Sequence, residues 1–190
     1  DKSHDSKGPL GAMNQRIFDE MFIDACSARM KGNLEEAKAL FVKCNKIDPS
    51  NVAVKYELTV IYKLLGVNDQ ALFYAKACAA AEPKNEWYQL ILIECHNVLK
   101  QYNLSVKIRE NLVKNFPGRS EFKEDLAFEY HILGQYDKAY RIYDELERIY
   151  GINEQLTLNK IKLLKSQKKF ADAEIELQRG ENMSSIVRHA

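Results

Sequence analysis

The chain has 190 residues, 46% hydrophobic and 29% charged, which suits one folded domain or one run of stacked repeats. Its 28 basic and 27 acidic residues leave a formal net charge of +1, without the basic excess expected of a nucleic-acid binder. No stretch approaches the roughly 20 apolar residues that span a bilayer, so no transmembrane segment is expected.

In chain order, residues 1–16 are polar with no apolar run, and they read as a tail without an intact signal peptide. The run Gly8-Pro9-Leu10-Gly11-Ala12-Met13 looks like a cloning scar, which would place the native start near Met13. The alternative is a polar tether left after a lipoprotein signal is removed. Residues 17–180 then carry a single period. Pro49, Pro83 and Pro117 recur at a constant interval of about 34 residues, a length typical of helical repeats. Gly32 and Gly66 are separated by the same interval, and Gly134 falls two intervals later. Ala37, Ala71, Ser105, Ala139 and Ala173 form an unbroken series at the same spacing. The predicted units are 18–51, 52–85, 86–119, 120–153 and 154–180, each a helix, a short turn and a second helix.

Each series has a mechanical reason. The Ala/Ser positions mark the closest approach of the two helices, where only a small side chain fits. Gly32, Gly66 and Gly134 fall in the turn between them, where φ > 0 is easy only for Gly. Lys100 and Lys168 stand at that place in the third and fifth units, so those turns should be less ideal. Pro49, Pro83 and Pro117 stop the second helix, and Gly151 does so in the fourth unit. Within that unit Phe122, Leu126, Tyr130 and Leu133 recur at three and four residues, one buried face. One pair cannot cover such faces alone, whereas stacked pairs can, with a concave surface along the array. Residues 181–190 are weakly patterned and read as a frayed tail. No polar capping helix is evident after Gly180, so Leu158, Ile161, Leu164 and Ile175 should lie at an end face. That face would serve self-association, join to further repeats, or be covered by the tail.

With these residues in register, the chain resembles the tetratricopeptide-repeat family over about residues 18–180. The fourth unit matches best, through Ala127, Tyr130, Gly134, Tyr136, Ala139 and Tyr143. The third departs furthest, with His96, Lys100 and Arg109 at family positions. The resemblance implies an all-α solenoid of about five antiparallel helix pairs in a right-handed superhelix. It also implies that the first helix of each pair lines a groove for a protein or peptide. The residues so placed include Phe22, Tyr56, Val60, Trp87, Leu90, Glu94, Glu121, Glu124, Phe128 and His131. The front of this groove would be apolar and aromatic and its rear acidic, suiting a segment with aromatic anchors and some basic residues. The bland alternative is that Tyr56 and Phe128 pack on adjacent helices, that Trp87 staples the preceding loop, and that the acids are solvated surface. A chaperone-type carboxylate clamp needs cations and amides at fixed places. The two available registers give Phe22, Cys26, Glu57, Trp87 and Ile91, or Tyr56, Val60, Ile91, Glu121 and Asp125, so that role is rejected. The runs Tyr150-Gly151-Ile152-Asn153-Glu154 and Pro83-Lys84-Asn85-Glu86-Trp87-Tyr88 look like tetratricopeptide-repeat lipoproteins of Bacteroidetes-type bacteria. That likeness implies a periplasmic or cell-envelope place, with the cytoplasm as the alternative. It also admits a dimerisation segment of a larger envelope lipoprotein as an alternative function.

Catalysis has no foothold. The chain lacks a phosphate-binding glycine loop, a dinucleotide fingerprint, a zinc-protease helix and a nucleophile elbow. Cys26, Cys44, Cys78 and Cys95 have neither C-x-x-C nor zinc-ligand spacing, and they read as small core residues. A Cys44–Cys78 disulfide is the less favoured reading, because equivalent places in successive repeats lie roughly 10 Å apart. No cofactor, metal or catalytic residue is expected. A homo-oligomer could form through the uncapped last repeat.

Overall fold

The computed structural model describes residues 9–189. Ten helices occupy them: α1 (Pro9–Met30), α2 (Leu34–Ile47), α3 (Val52–Leu64), α4 (Asn68–Ala81), α5 (Glu86–Val98), α6 (Tyr102–Asn115), α7 (Ser120–Ile132), α8 (Tyr136–Tyr150), α9 (Glu154–Ser166) and α10 (Phe170–His189). They fall into two compact units, one ending at Gln101 and the other starting at Tyr102. The division lies inside the third expected repeat, the one that departs furthest from the family pattern.

The small-residue series does what its spacing demands. Ala37, Ala71, Ser105, Ala139 and Ala173 are all buried. The turn glycines Gly32, Gly66 and Gly134 have φ of 82°, 72° and 72°. Lys100 and Lys168 adopt the same left-handed geometry, with φ of 58° and 59°. A Cβ built on the three glycines would meet nothing within 4 Å, so it is the backbone angle, not space, that selects Gly there.

A further series appears at the start of the first helices. Asn51, Asn85 and Asn153 are N-caps, whose side chains accept from Val54 N, from Trp87 N and Tyr88 N, and from Leu156 N. Each satisfies an orphan donor of its helix and stabilises it by about 1 kcal/mol. They too recur at the repeat interval or twice it. Arg119 breaks the series, and it lies over the Phe122 ring at 4.6 Å instead.

In the first unit, α3 buries Val54, Leu58 and Ile61 completely against a core that includes Ala37, Phe41 and Cys44. Covering side chains of this size stabilises by roughly 1.5–3 kcal/mol each. In the second unit, α7 buries Leu126 beside Tyr130, Ala139 and Tyr143, and α9 adds Leu156 and Leu163. All four cysteines are free, and Cys44, Cys78 and Cys95 are buried. Burial raises the Cys78 thiol to about 11, which makes it a poor nucleophile.

Both ends differ from the expected boundaries. Residues 1–8 and 190 lie outside the described residues, but residues 9–16, read as tail, form the first turns of α1. Gly180 does not end the last helix, because α10 runs on to His189. A Cβ there would sit 2.9 Å from Thr157 Cγ2. Gly180 is therefore a close-packing residue between α9 and α10, and an isolated Gly is tolerated inside a helix at about 1 kcal/mol.

Candidate protein-binding surface

In the first unit, the first helices of the pairs are α1, α3 and α5, and side chains tie each to the next. Arg29 Nε on α1 meets Glu57 Oε2 on α3 at 2.8 Å. Lys63 on α3 is ion-paired to Glu94 on α5. The rings of Tyr56 and Tyr88 lie 5.6 Å apart. These contacts hold the three helices side by side and leave one stripe of each available.

The residues singled out from the sequence separate on this surface. Phe22 is half-buried; it stacks on Phe18 at 6.0 Å and meets the buried Phe41 edge-on at 5.5 Å. It packs against the first core with one side and keeps part of its surface in water. Tyr56, Val60 and Leu90 are half-buried. Trp87 is 68% exposed in the first turn of α5, so it does not staple the preceding turn. Glu94 is exposed but engaged by Lys63.

The stripe continues beyond these residues. Met30, Leu64 and Val98 follow Cys26, Val60 and Glu94 by four residues each, one turn along the same face. They are 82%, 61% and 55% exposed. They were not singled out from the sequence, although they too recur at the repeat interval. An exposed apolar residue at the same rung of three successive repeats has no role in the core, and that combination was the signal. Lys31 and Lys100, both exposed, flank this row at its ends.

In the second unit, Glu121, Glu124, Phe128 and His131 lie on α7. Glu121 is paired with Arg119, and that hydrogen bond holds its carboxyl below the usual range. Glu124 and Phe128 are exposed, and Ile132, four residues beyond Phe128, repeats the row of the first unit. His131 is half-buried, edge-on to Tyr136 at 5.7 Å. Its Nε2 lies 2.9 Å from Ser166 Oγ on α9, and that hydroxyl donates to the Lys162 carbonyl at 3.0 Å. The imidazole N–H therefore donates to Oγ, the reverse of a base activating a serine. Burial and the Lys162 charge hold this histidine below its usual range. Asp125 is 3.5 Å from Arg109. The expected acidic reserve is thus partly compensated within the chain.

Among the described residues no group of His, Cys, Asp or Glu could hold a metal ion, and no helix is long and apolar enough to cross a membrane.

No family model and no curated protein matches the sequence. Solved structures do. MamA of AMB-1 superposes with a TM-score of 0.67 at 15% identity, over 90% of this chain and 93% of that one. A tetratricopeptide repeat protein from Parabacteroides merdae gives 0.72 at 16% identity, over 88% of this chain and 67% of that one. A chain of the Naa15/Naa10 complex bound to HypK-THB gives 0.70 at 22% identity, over 90% of this chain and 27% of that one. At such identities the likeness carries the fold and nothing finer: the chain is an all-α tetratricopeptide-repeat solenoid.

Proposed function

We propose that the chain is a non-catalytic interaction scaffold, and that the exposed face of α1, α3 and α5 receives a segment of a partner protein. The observation that carries this reading is the row Met30, Leu64 and Val98, with the exposed Trp87 about three turns away on the same face of α5. Large side chains left in water at equivalent rungs are the kind of surface that an apolar partner covers. The ties Arg29–Glu57, Lys63–Glu94 and Tyr56–Tyr88 hold the surface in place before binding, which lowers the ordering cost of association. Repeat proteins bind through such extended faces, and one structural neighbour comes from a complex bound to HypK-THB.

The partner segment in this reading is amphipathic, with large apolar side chains facing the row. Its charged edge is acidic, because Glu94 and Glu57 are already paired while Lys31 and Lys100 flank the row. The test is selection of binders from a random-peptide library by the wild type, followed by affinity measurement on two variants. Met30→Lys combined with Leu64→Lys should abolish binding, and Trp87→Ala should weaken it about tenfold or more, both with an unchanged melting temperature. Retention of wild-type affinity by both variants would overturn the assignment.

A further inference from the structure

The last helix pair carries an open groove between the start of α9 and the second half of α10, with a volume of about 830 Å³. That is room for several large side chains. Leu158, Leu177 and Met183 line it with part of their surface in water. Glu154, Glu181 and Arg188 line its rim. All three are exposed, and no ion pair joins them to another described residue.

We infer that this groove is closed by the same groove of a second copy, in a two-fold dimer in which α10 crosses α10 of the other copy antiparallel. Two observations select that occupant. The first concerns the other end of the array. Where α3 presents the buried Val54, Leu58 and Ile61 to the preceding pair, α1 has Glu20, Asp24 and Ser27 at the same spacing. A second copy stacking head-to-tail would press apolar Leu158 and Leu177 onto those acids, which burial disfavours.

The second is self-complementary charge. Glu181 and Arg188 are seven residues apart, two turns along one face of α10 and about 10 Å of helix rise. That is too far for them to pair within one chain. An antiparallel crossing centred between Ser184 and Ser185 places Glu181 of each copy opposite Arg188 of the other. The small exposed serines at the centre let the two helices approach closely. Each contact then occurs twice, as an isologous interface requires.

Light scattering coupled to size exclusion at tens of micromolar should give about twice the 21.9 kDa chain mass. Glu181→Arg and Arg188→Glu should each lower dimer affinity about tenfold or more, with unchanged circular dichroism and melting. Mixing the two variants in equal amounts should restore a dimer, because the two-fold then opposes unlike charges at both contacts. A monomeric wild type, a head-to-tail polymer, reversal variants that remain dimeric, or a mixture that stays monomeric would each overturn the proposal.

Discussion

The two units solve one packing problem in different ways. In the first unit, the rungs by which one pair meets the next are apolar: Leu58 and Ile61 on α3 are fully buried. In the second unit, the equivalent rungs include charges. Glu129 on α7 is buried and takes hydrogen bonds from Ser105 Oγ and Arg109 Nε on α6. Lys160 on α9 is 1% exposed, 2.6 Å from Asp144 and 3.0 Å from Glu147 on α8. Glu147 also receives Arg179 of α10 at 2.6 and 3.0 Å, and Arg179 reaches Glu176 at 2.8 Å. The Tyr140 hydroxyl donates to Glu176 at 2.8 Å. An apolar interface tolerates shifts in packing and is indifferent to proton concentration. A satisfied ionic interface specifies one geometry, and it fails once a member is removed. The first unit is thus held by apolar area with partly exposed ion pairs beside it, the second by area plus charged hydrogen bonds buried between its helix pairs.

The largest expected effect comes from breaking that contrast at equivalent rungs. Glu129→Ala leaves the mostly buried Arg109 guanidinium without its buried partner, and it should cost about 3–5 kcal/mol. Ile61→Val, which only trims the equivalent apolar rung, should cost about 0.5–1.5 kcal/mol. Urea unfolding of both variants checks the difference, and equal losses would erase the contrast.

Acid sharpens it next. Burial alone would raise the Glu147 carboxyl, but hydrogen bonds from Arg179 and Lys160 outweigh that and hold it below its ordinary value. Its contribution to stability is therefore complete above the unfolded carboxylate range near about 4.3. It is lost as pH falls through the lower folded value. On acidification, amide protection factors, corrected for the pH dependence of the intrinsic exchange rate, should fall in α8, α9 and α10 before α2 and α3. The opposite order would place the acid-sensitive contacts elsewhere.

The smallest expected effect treats the two units alike. Lys100→Gly in the first and Lys168→Gly in the second relieve left-handed backbone at turns where three other repeats carry Gly. Each should stabilise by about 0.5–1 kcal/mol, less than the full strain because Gly also loosens the unfolded chain. Thermal melts read this directly, and a lower melting temperature would show that the lysine side chains serve the turns in another way.

Much of this fold was legible in one dimension because repetition multiplies a weak local signal. Ala37 alone says little, but five small residues in one register require a recurring close approach. The same period held the Asn N-caps and the exposed row Met30, Leu64 and Val98, yet neither stood out. Asn is common in loops, and an exposed apolar residue differs from a buried one only in where its helix faces. Phe22 shows the same ambiguity: its spacing puts it on the groove stripe, while Phe18 and Phe41 cover part of its ring.

By itself the sequence determined the helix pairs and the turns between them, because close approach and backbone angle are local demands answered by single residue types. Only the tertiary structure decided which charges are compensated, as Glu94 by Lys63 and Glu147 by Lys160 and Arg179. Those partners sit on different helices, and no period fixes side-chain reach from one helix to its neighbour. It also decided the meaning of Gly180, which a linear reading left only as the last residue of the fifth unit. Glycine answers both to a backbone angle and to a neighbour's proximity, and only packing against Thr157 tells the two apart.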